Sequence, residues 1–140
     1  MMAFLTFLLA ATLQAASPST LPMRTIDKGA MSNMDDARQA SALSVEEWST
    51  LWTQHAGERT RPSVDFTKEA VAAVFLGTRP TGGFSIEIVR VRNEGLALVV
   101  EYKETRPAPD SVAAQVLTSP YHIVAVPRGS ATQVKFARVQ

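Results

Sequence analysis

The chain contains no cysteine, which excludes disulfides, thiolate metal sites, a cysteine nucleophile and a cysteine for lipid attachment. Histidine is almost absent as well: His55 and His122 are the two in the chain, and no H-x-x-x-H pair exists. A protein-bound zinc needs three or four ligands in a defined geometry, so neither a metal nor another cofactor is expected. An excess of one charge is also missing. Lys+Arg number 14 and Asp+Glu 13, a net charge of +1, so no basic surplus drives binding to nucleic acid. No apolar run approaches the ~20 residues that a membrane-spanning helix requires. What remains is a chain of 140 residues with 46% hydrophobic and 19% charged content. That is one modest globular core.

An apolar run opens the chain. Residues 1–15 read MMAFLTFLLAATLQA, and the stretch from Ala3 to Leu13 is 11 residues long. It ends in the small residues Ala15, Ala16 and Ser17. That is the pattern of a secretory signal peptide, with only the terminal amine as its positive charge. Residues 1–15 are therefore expected to direct export, to the periplasm or beyond, and to leave no stable membrane span after cleavage. Without cysteine the exported protein is not a lipoprotein, and it must hold together by packing alone.

Residues 16–43 are rich in Ser, Ala, Met, Asn and Asp and show no sustained period. They read as a flexible tether. Order begins with Ser44 and Glu47, spaced as a reciprocal helix-capping box. Val45, Trp48, Leu51 and Trp52 follow on one helical face, and Gly57 stops the helix, which is expected over residues 45–55. Trp48 and Trp52, one turn apart, read as core rather than as a ligand-stacking pair.

After Pro62 the apolar period changes from 3.6 to 2. Residues 70–76 (AVAAVFL) are a strand buried on both faces or a first central strand. Residues 84–88 alternate, and the switch of face at Val89 and Val91 predicts a bulge or a change of covering element. Asn93-Glu94-Gly95 is a turn. Residues 96–103, 121–126 and 133–139 are further strands, and residues 112–117 are ambiguous. The expected domain, residues 44–140, is a small antiparallel β-sandwich or half-barrel of five to six strands, mainly β within the α+β class. The Trp-bearing helix is packed on one face.

No catalytic residue is assigned. Ser85 or Ser119 can be combined on paper with His122 and Asp65 or Asp110, but no G-x-S-x-G nucleophile elbow is present. His122 reads as a satisfied or edge-exposed strand histidine. Gly77-Thr78-Arg79-Pro80-Thr81-Gly82-Gly83-Phe84 carries more information. Pro80 fixes its own φ, while Gly82 and Gly83 permit positive φ, so the loop has a defined shape. It is either a tight hairpin between the first two strands after the helix or a rigid recognition loop. It lacks the G-K-[ST] ending of a phosphate loop. Tyr121, in Thr118-Ser119-Pro120-Tyr121-His122, is an amphipathic anchor near that loop in the functional reading.

Together these segments resemble the C-terminal domain of the PrcB family of protease complex subunits. The residues that carry the resemblance are Glu47-Trp48 with Leu51-Trp52, Val64-Asp65-Phe66, and Gly77 through Ile86. They continue through Pro107-x-Pro109, Leu117 through His122, and Val134-x-Phe136. Phe84 stands where the family pattern has Tyr, and the chain lacks the acylated cysteine of the surface lipoprotein for which the family is named. The resemblance implies an exported, non-enzymatic binding module that associates with and stabilises a protease or another envelope protein. Its partner-binding residues would be Arg79, Pro80, Thr81, Gly82, Gly83, Phe84 and Tyr121. The loop is also similar to the Asn-Pro-Thr-Thr-Gly-Tyr loop of chagasin-type cysteine protease inhibitors. It departs from that pattern at Arg79 and Gly82, and in having Ala after Arg106-Pro107. That similarity implies the alternative function, a protease inhibitor.

Overall fold

The computed structural model describes residues 19–140. The expected signal peptide and the first residues of the expected tether lie outside the described residues. In chain order the elements are β1 (Ser19–Leu21), β2 (Arg24–Gly29), β3 (Arg38–Ala42), α1 (Val45–Ala56), β4 (Glu69–Phe75), β5 (Ser85–Glu94), β6 (Ala97–Thr105), β7 (Tyr121–Pro127) and β8 (Gln133–Val139). The strands form two four-stranded sheets, ordered β1-β5-β6-β8 and β2-β7-β4-β3.

Five strands follow the helix, as the alternation predicts, but three more precede it. Residues 19–42 are therefore not a tether. β1 pairs with β5, β2 with β7 and β3 with β4, so this segment supplies an edge strand to one sheet and both edges of the other. RTIDKG in β2 and RQASA in β3 lack apolar alternation because an edge strand needs only part of one face buried.

The layers explain the sequence pattern. One face of the second sheet meets the first sheet through Ala72, Val74, Val124 and Val126, packed on Ile86, Ile88, Leu98 and Val100. Its other face lies under α1, where Val71, Ala73, Phe75 and Ile123 meet Trp48, Leu51 and Trp52. β4 is thus central and buried on both faces, which is why AVAAVF reads as a continuous apolar run. Trp48 is 1% exposed, and its indole N–H donates to the Pro62 carbonyl at 2.9 Å. The Trp52 indole donates to the Arg59 carbonyl at 2.8 Å. Both tryptophans are core.

α1 begins at the predicted cap, where the Ser44 side chain accepts from the Glu47 N–H. Only half of the reciprocal box forms, because the Glu47 carboxylate meets the N–H of Leu43 and not that of Ser44. Gly57 closes it with φ +61°, donating to the Thr53 carbonyl. The buried face differs at one end: Val45 is exposed, and His55 and Ala56 complete the face instead.

Two connections depart from expectation. β4 and β5 lie in different sheets, so residues 77–84 are a crossing between sheets and not a tight hairpin. β7 and β8 likewise separate. Both sides of β7 are occupied, by β2 and β4, so the last strand crosses to the open edge of β6 and pairs with it in parallel. The sandwich is accordingly antiparallel except for that pair. The predicted bulge is present as a register shift between Ile88 and Arg90 opposite β6.

Candidate protein-binding face at one end of the sandwich

The registers bring three connections to one end of the sandwich. Gly29 at the end of β2 and Phe75 at the end of β4 both pair with Tyr121 at the start of β7. Arg38 at the start of β3 pairs with Phe75, and Ser85 pairs with Thr105. Residues 30–37, 77–84 and 106–120 therefore emerge side by side.

They are bonded to one another through the backbone. Arg79 and Thr118 exchange two hydrogen bonds, of 2.7 and 2.9 Å, and the Gly82 N–H donates to Ala114 at 2.9 Å. The Thr118 hydroxyl donates to the Thr81 carbonyl at 3.1 Å. On the other side, the Ser119 N–H donates to Ala30, the Ser32 N–H to the Ser119 carbonyl, and the Thr78 N–H to Asp35. Each loop fills the backbone valences of its neighbour, which fixes the shape of the whole end.

Two glycines permit this approach. Gly77 holds φ +80°, and a Cβ there would lie 2.7 Å from the Ala37 nitrogen. Gly83 holds φ +90°, and a Cβ would lie 2.8 Å from the Pro107 Cβ. Gly82 does not use positive φ and meets Ala114 only at ordinary distance. Of the two glycines predicted to need that freedom, only Gly83 does.

The chemistry displayed is mixed. A groove of about 260 Å³ is lined by Leu76, Arg79, Pro80, Phe84, Glu104 and Arg106, together with Thr105. The guanidinium of Arg79 lies over the Phe84 ring, 5.7 Å from its centroid. Its Nε is buried and has no hydrogen-bond partner. Arg79 thus lies along the groove rather than projecting from the turn. Glu104 is paired with Arg138 at 3.1 Å, whereas among the described residues neither Arg79 nor Arg106 has a carboxylate partner. Phe84 packs its ring against the inter-sheet core. The neighbouring loops add Met31, Val112, Val116 and Leu117, all exposed. Sequence reading left 112–117 unassigned because an exposed apolar loop has no period.

Tyr121 is not part of this surface. It is 6% exposed and packs under α1, and its hydroxyl donates to Asp27 at 2.8 Å. Position 121 falls on the β4-facing start of β7, and the pleat sends its ring to the helix side.

A second polar cluster escaped the sequence reading altogether. Ser32 Oγ lies 2.7 Å from His55 Nδ1, and His55 Nε2 lies 2.9 Å from Asp27 Oδ2. Asp27 also accepts from Arg59 at 2.9 Å and from Tyr121. Burial raises the Asp27 carboxyl's pKa, but the hydrogen bonds from His55, Tyr121 and Arg59 outweigh this and hold it below the usual value. Burial pushes the His55 imidazole down despite its Asp27 neighbour. The phenol of Tyr121 is pushed up to about 12 by burial and by Asp27. A neutral His55 then donates to Asp27 through Nε2 and accepts from Ser32 through Nδ1, while Ser32 Oγ accepts from the Met34 N–H at 3.0 Å. Ser32 is 9% exposed, and none of the described grooves opens onto it. The arrangement bolts residues 27–34 and the end of α1 to the second sheet. Two of its members fall in the stretch read as a tether, so nothing in the sequence pointed to it.

Among the described residues, no group of three or more His, Asp or Glu is placed to hold a metal ion, and no helix is long and apolar enough to cross a membrane. Neither a curated protein nor a solved structure matches the chain. The family model described as PrcB C-terminal matches residues 70–127, a narrower span than the motifs suggest. The helix motif, Val64-Asp65-Phe66 and Val134-x-Phe136 lie outside it. The match runs from the central strand β4 through both crossing loops to the end of β7, and over that span the chain is similar to the PrcB C-terminal family.

Proposed function

We propose that the protein is an exported, non-enzymatic binding module, an accessory subunit that docks a protease or another envelope protein through the loop end of its sandwich. The observation that carries this reading is the union of shape and chemistry at that end. Three mutually bonded loops hold exposed Val112, Val116 and Leu117 beside a groove with two uncompensated guanidinium groups. Rigid loops on a β-scaffold lose little entropy on docking. Large exposed apolar side chains rimmed by charge mark protein contact surfaces. The PrcB C-terminal match supports a protease-complex role, and the apolar residues 1–15 support export.

Affinity capture from an envelope fraction tests it. The chain is expected to retain a protease, and Arg79→Ala to weaken that capture while the fold stays intact, the lost stacking on Phe84 costing about 0.5–1 kcal/mol. Unchanged capture by Arg79→Ala and by Leu117→Asp would remove the loop end from the interface.

One observation favours a second reading, a chagasin-like inhibitor. Arg79 to Phe84 and the Arg106-Pro107 segment lie against each other, with Pro107 packed on Gly83, as two parts of one inhibitory edge would. An inhibitor blocks a papain-type protease at stoichiometric amounts. An accessory subunit leaves catalysis intact and prolongs the life of its protease.

A further inference from the structure

A strand at the edge of a sheet offers unpaired backbone donors and acceptors, and proteins blunt such edges with shortness, charge or bulges. Three edges here are blunted. β1 has three residues. β2 carries Arg24, Asp27 and Lys28 and a register shift between Thr25 and Asp27. β8 places Lys135 and Arg138 along its length. β3 differs. Gln39-Ala40-Ser41-Ala42 has no charge and no proline, and its register against β4 is unbroken. Among the described residues, β4 is its only paired neighbour.

Beside that edge runs a groove of about 340 Å³ between β3 and α1, lined by Ala40 and Ser41 on one side and Glu46, Glu47, Thr50 and Leu51 on the other. Leu51 is buried, while Glu46, Glu47 and Thr50 are exposed. Arg38, at the rim, donates to Gln54 at 3.1 Å and not to these carboxylates. Among the described residues, Glu46 and Glu47 have no cationic partner. A strand added to β3 would direct alternate side chains into this groove, since side chains of an extended chain alternate between faces.

We propose that β3 and α1 form a second docking site, separate from the loop end. It takes an extended peptide segment of a partner protein as an added strand on β3, with a Lys or Arg side chain in the groove against Glu46 and Glu47. Main-chain hydrogen bonds supply the affinity in this mode of recognition, and the groove selects the side chain. The small side chain of Ala40, on the helix side of β3, leaves room for that side chain, and the two carboxylates choose its charge.

Selection of random linear heptapeptides on the full chain tests the proposal. Enriched peptides are expected to carry one basic residue at a fixed position among β-branched neighbours. Binding is expected to protect the β3 amides from hydrogen exchange. Glu46→Lys and Thr50→Arg, both at exposed positions, are each expected to weaken binding at least tenfold without altering the melting transition. Four outcomes would overturn the site: no enrichment, protection confined to other strands, binding by both variants equal to that of the unsubstituted chain, or protection of β3 by self-association as protein concentration rises.

Discussion

The imidazole of His122, on β7, accepts the backbone N–H of Ile88, on β5, at 2.9 Å. This bond joins the two sheets at the place where the β5–β6 register slips. β1 covers only Val91 to Asn93, so Ile88 lies beyond its end, and a side chain from the opposite sheet satisfies the donor instead. Because Nδ1 accepts, Nε2 carries the proton and donates to Thr25 at 2.9 Å. His122 is therefore held neutral.

A pH dependence follows. Burial first, and then the charge of Lys28, push His122 down to about 4, with Glu87 opposing. Between pH 6.5 and 4 the unfolded chain binds a proton that the folded chain refuses. The contribution is complete above pH 6.5 and is lost as pH falls toward 4, in total about 3 kcal/mol. Denaturant unfolding from pH 7 to 4 should show this loss. His122→Gln should flatten most of it, leaving the smaller slope of His55, which acts in the same direction.

The bulge behind this bond was legible, because the apolar phase slips visibly at Val89. The helix and β4 to β8 were legible for the same reason: each buries a face whose period survives in the sequence. The partner of a strand does not survive in that way. Ala70 to Leu76 and Phe84 to Ile88 read alike whether they form a hairpin or lie in separate sheets, and the loop between them was misread accordingly. β2 and β3 were lost because Arg24, Lys28, Arg38 and Gln39 face solvent at the edges. With them went Asp27 and Ser32, and so the polar cluster around His55. Of the site residues, the run from Arg79 to Phe84 was found through its glycines and proline. Tyr121 was misplaced because adjacency in sequence does not say to which side of a pleat a ring points.

Trp48→Ala should destabilise the domain by about 3–5 kcal/mol, since a fully buried indole leaves a cavity that its neighbours only partly close. Equilibrium unfolding measures this directly. The hydrogen bond to Pro62 is lost in the same substitution and adds to the effect.

The glycines of the crossing loop should separate. Gly83→Ala forces positive φ on alanine and drives its Cβ into Pro107, a cost of about 1–3 kcal/mol. Gly82→Ala has neither problem and should change stability by less than about 1 kcal/mol. Melting temperatures of the two variants decide it. Equal values would contradict the loop conformation described.

Ser32 should behave as structure and not as a nucleophile. An organophosphonate probe should leave the mass of the protein unchanged, because Ser32 Oγ is enclosed and already bonded to His55 and to the Met34 N–H. Ser32→Ala should cost about 1–3 kcal/mol through the acceptor lost to Met34 and the donor lost to His55. Labelling at Ser32 would show a reactive hydroxyl and reverse this assignment.

The central claim, that the loop end meets the partner, is tested most directly by site-specific photo-crosslinking in the living cell. A benzophenone side chain at Val116, exposed in the loop after β6, samples the proposed face; one at Lys135, on the edge strand β8, samples a surface away from it. The account predicts a single protein adduct from position 116 and none from position 135. An adduct from position 135 with none from 116 would contradict it.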